Sequence, residues 1–242
     1  MTLRSQPQKW MKRETASSRL LAERVPLAEG EKLNPDFYTD RNVLRVSRNL
    51  LGKVLCTFID NQFTAGIIVE TEAYSGKVDA ACHAHMGRRT GRNQIMYSEG
   101  GVAYVYLCYG LHHLFNIVTN VAHEADAVLI RALEPLEGID IMLTRRKKAR
   151  LDSTLTMGPG SLSMAMGIGK NSYGQSLQGP DLWVEDRYLA LGDMDIARGP
   201  RIGVDYAGED ALLPWRFFVR GNPYVTKPRT ETVLNVGFIA AY

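Results

Sequence analysis

Hydrophobic and polar positions fall into regular patterns from Leu33 onward. In RNVLRVSRNLL, the residues Val43, Leu44, Val46, Leu50 and Leu51 lie on or near one helical face. A helix is predicted there, capped by Thr39 or Asp40 and stopped by Gly52. KVLCTFI reads as a strand, Asp60 and Asn61 as a turn, and GIIVETEAY as the returning partner. VAYVYLCYGLHHLFNIVT gives two more strands joined tightly at Tyr109 and Gly110, and AVLIRAL gives another. Pro135 is placed to open a helix through LEGIDIMLTRRKKAR, and Ser161 to open a short one in GPGSLSMAMGIG. Late strands are expected near RIGVDY and WRFFVRG. Residues 75–101 have no period and are rich in Gly, Arg, Asn and His; a loop that long in a compact domain is usually functional. Helices and strands do not alternate regularly, so the expected fold is α+β with a mainly antiparallel sheet. Residues 1–32 read as a flexible basic arm with one short helix around 18–24, ahead of a single domain over 33–242.

Composition narrows the class without naming a function. With 45% hydrophobic and 23% charged residues in 242, the chain is neither disordered nor collagen-like nor a simple coiled coil. A net charge of +3 points only weakly to a polyanionic partner, and the placement of the charges matters more. Cys56, Cys82 and Cys108 are widely spaced and form no CxxC pair, so neither a zinc ribbon nor a disulfide framework is expected. The expected setting is a reducing, intracellular one. No apolar run approaches the roughly 20 residues of a membrane span, and MTLRSQPQKWMKRE lacks the apolar centre of a secretory signal.

Strand parity isolates the first candidate chemistry. In GIIVETEAY, Ile68, Glu70, Glu72 and Tyr74 share one face, and Ile67, Val69, Thr71 and Ala73 share the other, which reads as core. Two acids about 7 Å apart could serve as acid and base flanking a water, although the pattern alone favours a solvated strand face. Tyr104 and Tyr106 point one way and Tyr109 the other. At a hairpin tip Tyr109 is either a tolerated surface aromatic or a wedge for a partner. Arg131 stands mid-strand between Ile130 and Ala132, where a buried charge needs a carboxylate or a ligand. Asn116 within LFNIV reads by default as a satisfied core amide. Cys82, His83, His85, His112 and His113 lack metal-ligand spacing, so no metal is expected. His83 fits base stacking or hydrogen bonding at least as well. Arg88, Arg89 and Arg92, with the basic run at 145–150, are either solvated faces or a phosphate-tracking surface.

Taken in order, VETEAYSG, AACHAHMGRRTGRNQIMY, AYVYLCYGLHHLFNI, LIRALEPLEG, GPGSL and RFFVRGNPYV resemble the alkyladenine (3-methyladenine) DNA glycosylase family. The resemblance covers residues 33–226. It implies one α+β domain with a curved, mainly antiparallel sheet, flanking helices and a protruding hairpin. It implies a monofunctional glycosylase with no cofactor, metal or lyase step. Glu72 matches the general base, and Arg131 the residue that helps place the attacking water. Tyr74, His83 and Tyr106 match the walls of a flipped-base pocket. Asn116 matches its floor amide, thought to exclude a guanine amino group, and Tyr109 the intercalating residue. Glu70 has no catalytic counterpart. The implied partner is double-stranded DNA carrying alkylated or deaminated purines, bound by a monomer, with Arg88, Arg89 and Arg92 as backbone contacts. Gly91 stands where mammalian members carry Pro, and TNVAHEADA is about two residues longer than theirs, which affects loop shape near the binding surface. Two rival readings remain: a carbohydrate glycosidase using Glu70 and Glu72, and a non-catalytic nucleic-acid binding module.

Overall fold

A computed structural model describes residues 20–23 and 30–227. The predicted hairpin is β2 (Val54–Ile59) and β3 (Gln62–Tyr74). Its turn places Asp60 and Asn61 at φ 57° and 56°. That left-handed pair matches the right-handed twist of the flanking strands. β3 changes partner along its length. Gln62 to Ile67 pair with β2, whereas Glu70 to Glu72 pair with β9 (Arg216–Val219). β6 (Asp126–Glu137) runs along its other edge. Beyond β6 lie β5 (His112–Thr119) and β4 (Ala103–Cys108). On the other side β2 pairs β7 (Leu182–Asp186), which pairs β1 (Glu31–Lys32), and β9 pairs β8 (Ile196–Gly199). Every pairing in this sheet is antiparallel, so the α+β expectation holds.

Four α-helices accompany the sheet among the described residues: α1 (Pro35–Tyr38), α2 (Val43–Asn49), α3 (Ile139–Arg145) and α4 (Pro159–Met166). The cap of α2 is Asn42, not Thr39 or Asp40: its side chain accepts from the Arg45 amide at 3.0 Å. A cap of this kind contributes about 1 kcal/mol. Asp40 stands one step further out and accepts from the Asn42 amide at 2.9 Å. Val46 and Leu50 then bury against Ile68, Phe115 and Ile130 in the main core, which α4 closes with Leu162, Ala165 and Met166. A second core on Ile67, Val69, Val54 and Cys56 takes in Leu21, from the segment expected to be an arm. The Ala22 amide there donates to Glu134 Oε1 at 2.7 Å. Of the helix expected around 18–24, a 3-10 turn at Leu21–Glu23 is seen; Leu20 is not helical, and residues 18, 19 and 24 lie outside the described residues.

Four local expectations need correction. Pro135 does not open a helix. It lies inside β6 opposite Gly66, at a register shift, where its missing N–H is tolerated. α3 starts after Gly138, at φ 69°, where a Cβ would meet the Phe63 carbonyl oxygen at 2.3 Å. α4 opens at Pro159, two residues before Ser161, because proline suits a first turn. Residues 201–206 are not a strand; β8 ends at Gly199 and the chain turns into a 3-10 segment at Asp205–Leu212. Finally, register shifts between Ile68 and Thr71 break the strict alternation. Ile68 joins Ala73 in the main core instead of sharing a face with the acids.

Candidate active site

Glu70 and Glu72 are both 0% exposed, so the solvated strand face expected from pattern alone does not exist. The cause is topological. β6 and β9 flank this part of β3 on both edges, and each brings an arginine. Arg131 Nε lies 3.2 Å from Glu70 Oε1, and its Nη1 lies 3.3 Å from Glu72 Oε1. Arg216 Nη1 donates to Glu70 Oε1 at 2.9 Å, and the Thr226 amide donates to Glu70 Oε2 at 3.0 Å. Two buried cations thus balance two buried anions. Removing one partner from such a set costs about 3–5 kcal/mol. Burial opposes the charge on Arg131, but Glu72 and then Glu70 outweigh it and hold the guanidinium above its ordinary value.

The two acids differ in what remains free. Glu70 is enclosed by its arginines and a backbone amide; neither acid lines the cavity described next, but three partners of Glu72 do. Arg131 bridges the two acids, so they do not flank an open space for a sugar bond. Glu72 Oε1 accepts from the Ile202 amide at 2.7 Å, and Oε2 accepts from the Tyr74 hydroxyl at 2.7 Å. A carboxylate offers about four lone-pair sites. With Arg131 counted, one site on Oε2 stays available.

Above Glu72 opens a cavity of about 300 Å³. Tyr74, Arg131 and Ile202 line it, and each also touches the carboxylate. His83, Tyr106 and Asn116 complete the predicted set at its walls. His83 and Tyr106 meet edge to face, centroids 4.7 Å apart at 71°. His83 Nδ1 is 2.7 Å from the Tyr104 hydroxyl, and Arg92 Nη2 is 3.2 Å from His83 Nε2. A guanidinium only donates, so Nε2 accepts and Nδ1 carries the proton toward Tyr104. Burial, then Arg92 and Arg88, draw the His83 pKa down to about 4, so the ring is neutral at neutral pH. Burial and then Glu72 push the Tyr74 phenol well up, which keeps it a neutral donor. Asn116 faces Tyr104 across the β4–β5 hairpin and donates from Nδ2 to the Tyr104 carbonyl at 3.2 Å. It is at once a satisfied amide and part of the cavity wall.

Tyr109 stands at the tip of that hairpin, 92% exposed, with φ 50°. The left-handed conformation costs an L-residue about 1 kcal/mol, and no packing of the ring offsets it. The arginines divide. Arg88 is exposed, Arg89 lies 3.8 Å over the Tyr97 ring, and Arg92 lies 4.7 Å over the Tyr106 ring. Arg92 thus backs the cavity wall. Three members of the 145–150 run are engaged within the protein, Lys148 with Thr154 and Asp152, which narrows the phosphate-tracking surface expected there. Arg145 donates to the Ile59 carbonyl at 3.0 Å, and Arg146 to the Leu155 carbonyl at 3.1 Å and Ser161 at 3.0 Å. Sequence reasoning missed Arg216, Arg201, Asp79 and the Ile202 amide. Their partners lie more than 120 residues away, and no periodic signal marks such pairs. Among the described residues no group of His, Cys, Asp or Glu could hold a metal ion, and no helix is long and apolar enough to cross a membrane.

An aromatic cavity thus lies over an arginine-paired carboxylate, beside a projecting tyrosine. A family model described as Methylpurine-DNA glycosylase (MPG) matches residues 36–223, and the chain belongs to that family. It is 44% identical over 203 residues to a protein of Clostridium botulinum (strain Alaska E43 / Type E3), covering 81% of this chain and 98% of the relative. It is 45% identical over 188 residues to a protein of Chlamydia abortus (strain DSM 27085 / S26/3), covering 77% and 97%. Both relatives carry the name "Putative 3-methyladenine DNA glycosylase".

Proposed function

We propose that this protein is a monofunctional DNA glycosylase that turns a damaged purine out of double-stranded DNA and hydrolyses its N-glycosidic bond, the opening step of base excision repair. The observation that carries the reading is Glu72, buried beneath an aromatic cavity and tied to three groups that line it. The family and the names of the relatives support DNA as the partner. The protein works as a monomer, where the cell's DNA is.

A stacked base hides its glycosidic bond, so the nucleotide must be extruded, at a cost of a few kcal/mol that is smaller for a damaged pair. Tyr109 fills the vacated space from the minor groove, and the exposed Arg88 and Arg89 meet the backbone. The base stacks among Tyr74, His83 and Tyr106. A cationic 3-methyladenine or 7-methylguanine gains about 0.5–2 kcal/mol from the aromatic faces, and a neutral His83 does not repel it. Neutral hypoxanthine or ethenoadenine lacks that gain and depends on hydrogen bonds to its edge or on protonation of the leaving base. Asn116, anchored by Tyr104, sets how much room an exocyclic amine has. Glu72 deprotonates a water held with Arg131 at its remaining lone pair and stabilises the oxocarbenium-like centre developing at C1′. No lysine lines the cavity among the described residues, which supports hydrolysis without a Schiff base.

The test is incubation with duplex oligonucleotides carrying each lesion, followed by alkali to cut abasic sites. Strand breaks only after alkali support the reading. Lesion-independent binding with no base release would favour a binding module, and breaks without alkali would reject the monofunctional assignment.

A further inference from the structure

Beneath the cavity, Arg201 and Asp79 form an ion pair whose side chains are both 0% exposed. The pair is two-pronged: Nη1 bonds Asp79 Oδ2, and Nη2 bonds Oδ1 at 2.7 Å. The same guanidinium donates to the Ala73 carbonyl at 2.9 Å and the Asp210 carbonyl at 3.1 Å. Its central carbon lies 4.8 Å from the Tyr74 ring and 5.2 Å from the Trp215 ring.

Two of these contacts lead to the carboxylate. Tyr74 is the ring that donates to Glu72 Oε2, and the Ile202 amide, next in the chain to Arg201, donates to Glu72 Oε1. A third leads to the opposite wall, since Asp79 lies in the loop that carries His83. That loop is tied to the 200–210 segment twice more: the Ala80 amide donates to Asp210 Oδ2 at 2.8 Å, and the Tyr206 hydroxyl to the Ala81 carbonyl at 3.1 Å. Stability alone does not call for charge here, because a buried ion pair often stabilises no more than an apolar pair of the same volume. A planar fork with five donors does what an apolar pair does not: it fixes several groups in one plane at once.

We propose that Arg201 is a positioning residue for base excision. It holds Tyr74 and the Ile202 amide against Glu72 and, through Asp79, sets the loop that bears His83. This rests on the glycosylase reading above.

Two variants test it. Arg201→Lys keeps a cation for Asp79 but lacks the fork. Arg201→Met combined with Asp79→Leu removes both charges and leaves no unpaired ion. Single-turnover excision should fall about 10- to 100-fold on hypoxanthine and 7-methylguanine duplexes alike, the scale of loss when reacting groups are misplaced by an ångström or less. Lesion binding should change no more than about threefold, so the loss appears in kcat and not in KM. Combined with Tyr74→Phe, the losses should overlap in part instead of multiplying fully, because one of the routes from Arg201 to Glu72 runs through the Tyr74 hydroxyl. A structural staple would lower Tm while leaving the rate well below Tm unchanged, and that result, or fully multiplying losses, overturns the proposal. Failure of both variants to fold assigns the pair to stability and overturns it equally. No base release by the parent protein rejects the glycosylase reading and removes this one with it. Release by the parent with an unchanged Arg201→Lys rate rejects only this one.

Discussion

The Tyr74 hydroxyl donates to Glu72 Oε2 at 2.7 Å and so joins a wall of the cavity directly to the carboxylate beneath it. On the glycosylase reading proposed above, a base stacked on Tyr74 would lie close to the acid. Glu72→Gln keeps the shape and leaves Arg131 paired with Glu70, but removes the proton acceptor. Excision should fall about 10²–10⁴-fold with lesion binding retained. Near-parental single-turnover rates in Glu72→Gln, measured on hypoxanthine duplexes, would remove Glu72 from the chemistry.

His83 gives a prediction in pH. Its pKa in the folded protein is about 4 against an ordinary 6.5, with burial as the first cause and Arg92 and Arg88 next. Between those values the unfolded chain takes up the proton first. The stability tied to a neutral His83 is thus fully present above pH 6.5 and is lost as pH falls toward 4. It amounts to no more than about 3 kcal/mol. His83→Gln should therefore lose less stability than the parent between pH 7 and about 4.5, read as the shift in urea midpoint. Equal acid sensitivity of the two proteins would show that His83 already binds a proton in the fold.

Much of this was legible in the sequence, and the failures have physical causes. The β2–β3 and β4–β5 hairpins follow from alternation and from turn residues that tolerate left-handed backbone. Arg131 was readable as a charge needing a carboxylate, because it interrupts an apolar strand. The burial of Glu70 and Glu72 was not readable. It depends on β9, whose Arg216 arrives from 146 residues away. Register shifts in β3 defeated strict alternation, and they leave no mark in composition. Helix starts were misplaced by two or three residues where Asn42, Gly138 and Pro159 took the role of nearby Asp40, Pro135 and Ser161.

The basic residues separate by experiment. Arg88 is exposed, whereas the Arg146 guanidinium is spent on the Leu155 and Thr154 carbonyls and on Ser161. If Arg88 meets a phosphate, Arg88→Gln should lower the slope of log K against log salt by about one. Arg146→Gln should leave that slope alone and lower Tm instead. An Arg88→Gln slope equal to the parent's would return Arg88 to a solvated face.

Tyr109 offers the clearest separation of fold from function. Its ring is exposed and its backbone is held at φ 50°; it reaches the edge of the cavity without packing into the core. Tyr109→Ser should change stability by no more than about 0.5 kcal/mol. If the ring is a wedge, the walls formed by Tyr74, His83, Tyr106 and Asn116 remain and the cost falls on extrusion, which must unstack a base at a few kcal/mol. Excision from a paired lesion should therefore drop, and the drop should shrink where the lesion is unpaired or single-stranded and extrusion is already cheap. Single-turnover rates on both substrates, with a fluorescent base reporting unstacking, decide the matter. An equal loss on both would show that Tyr109 acts as a lining residue of the cavity and not as a wedge. No loss on either would leave it a surface aromatic, and the left-handed tyrosine would then need another explanation.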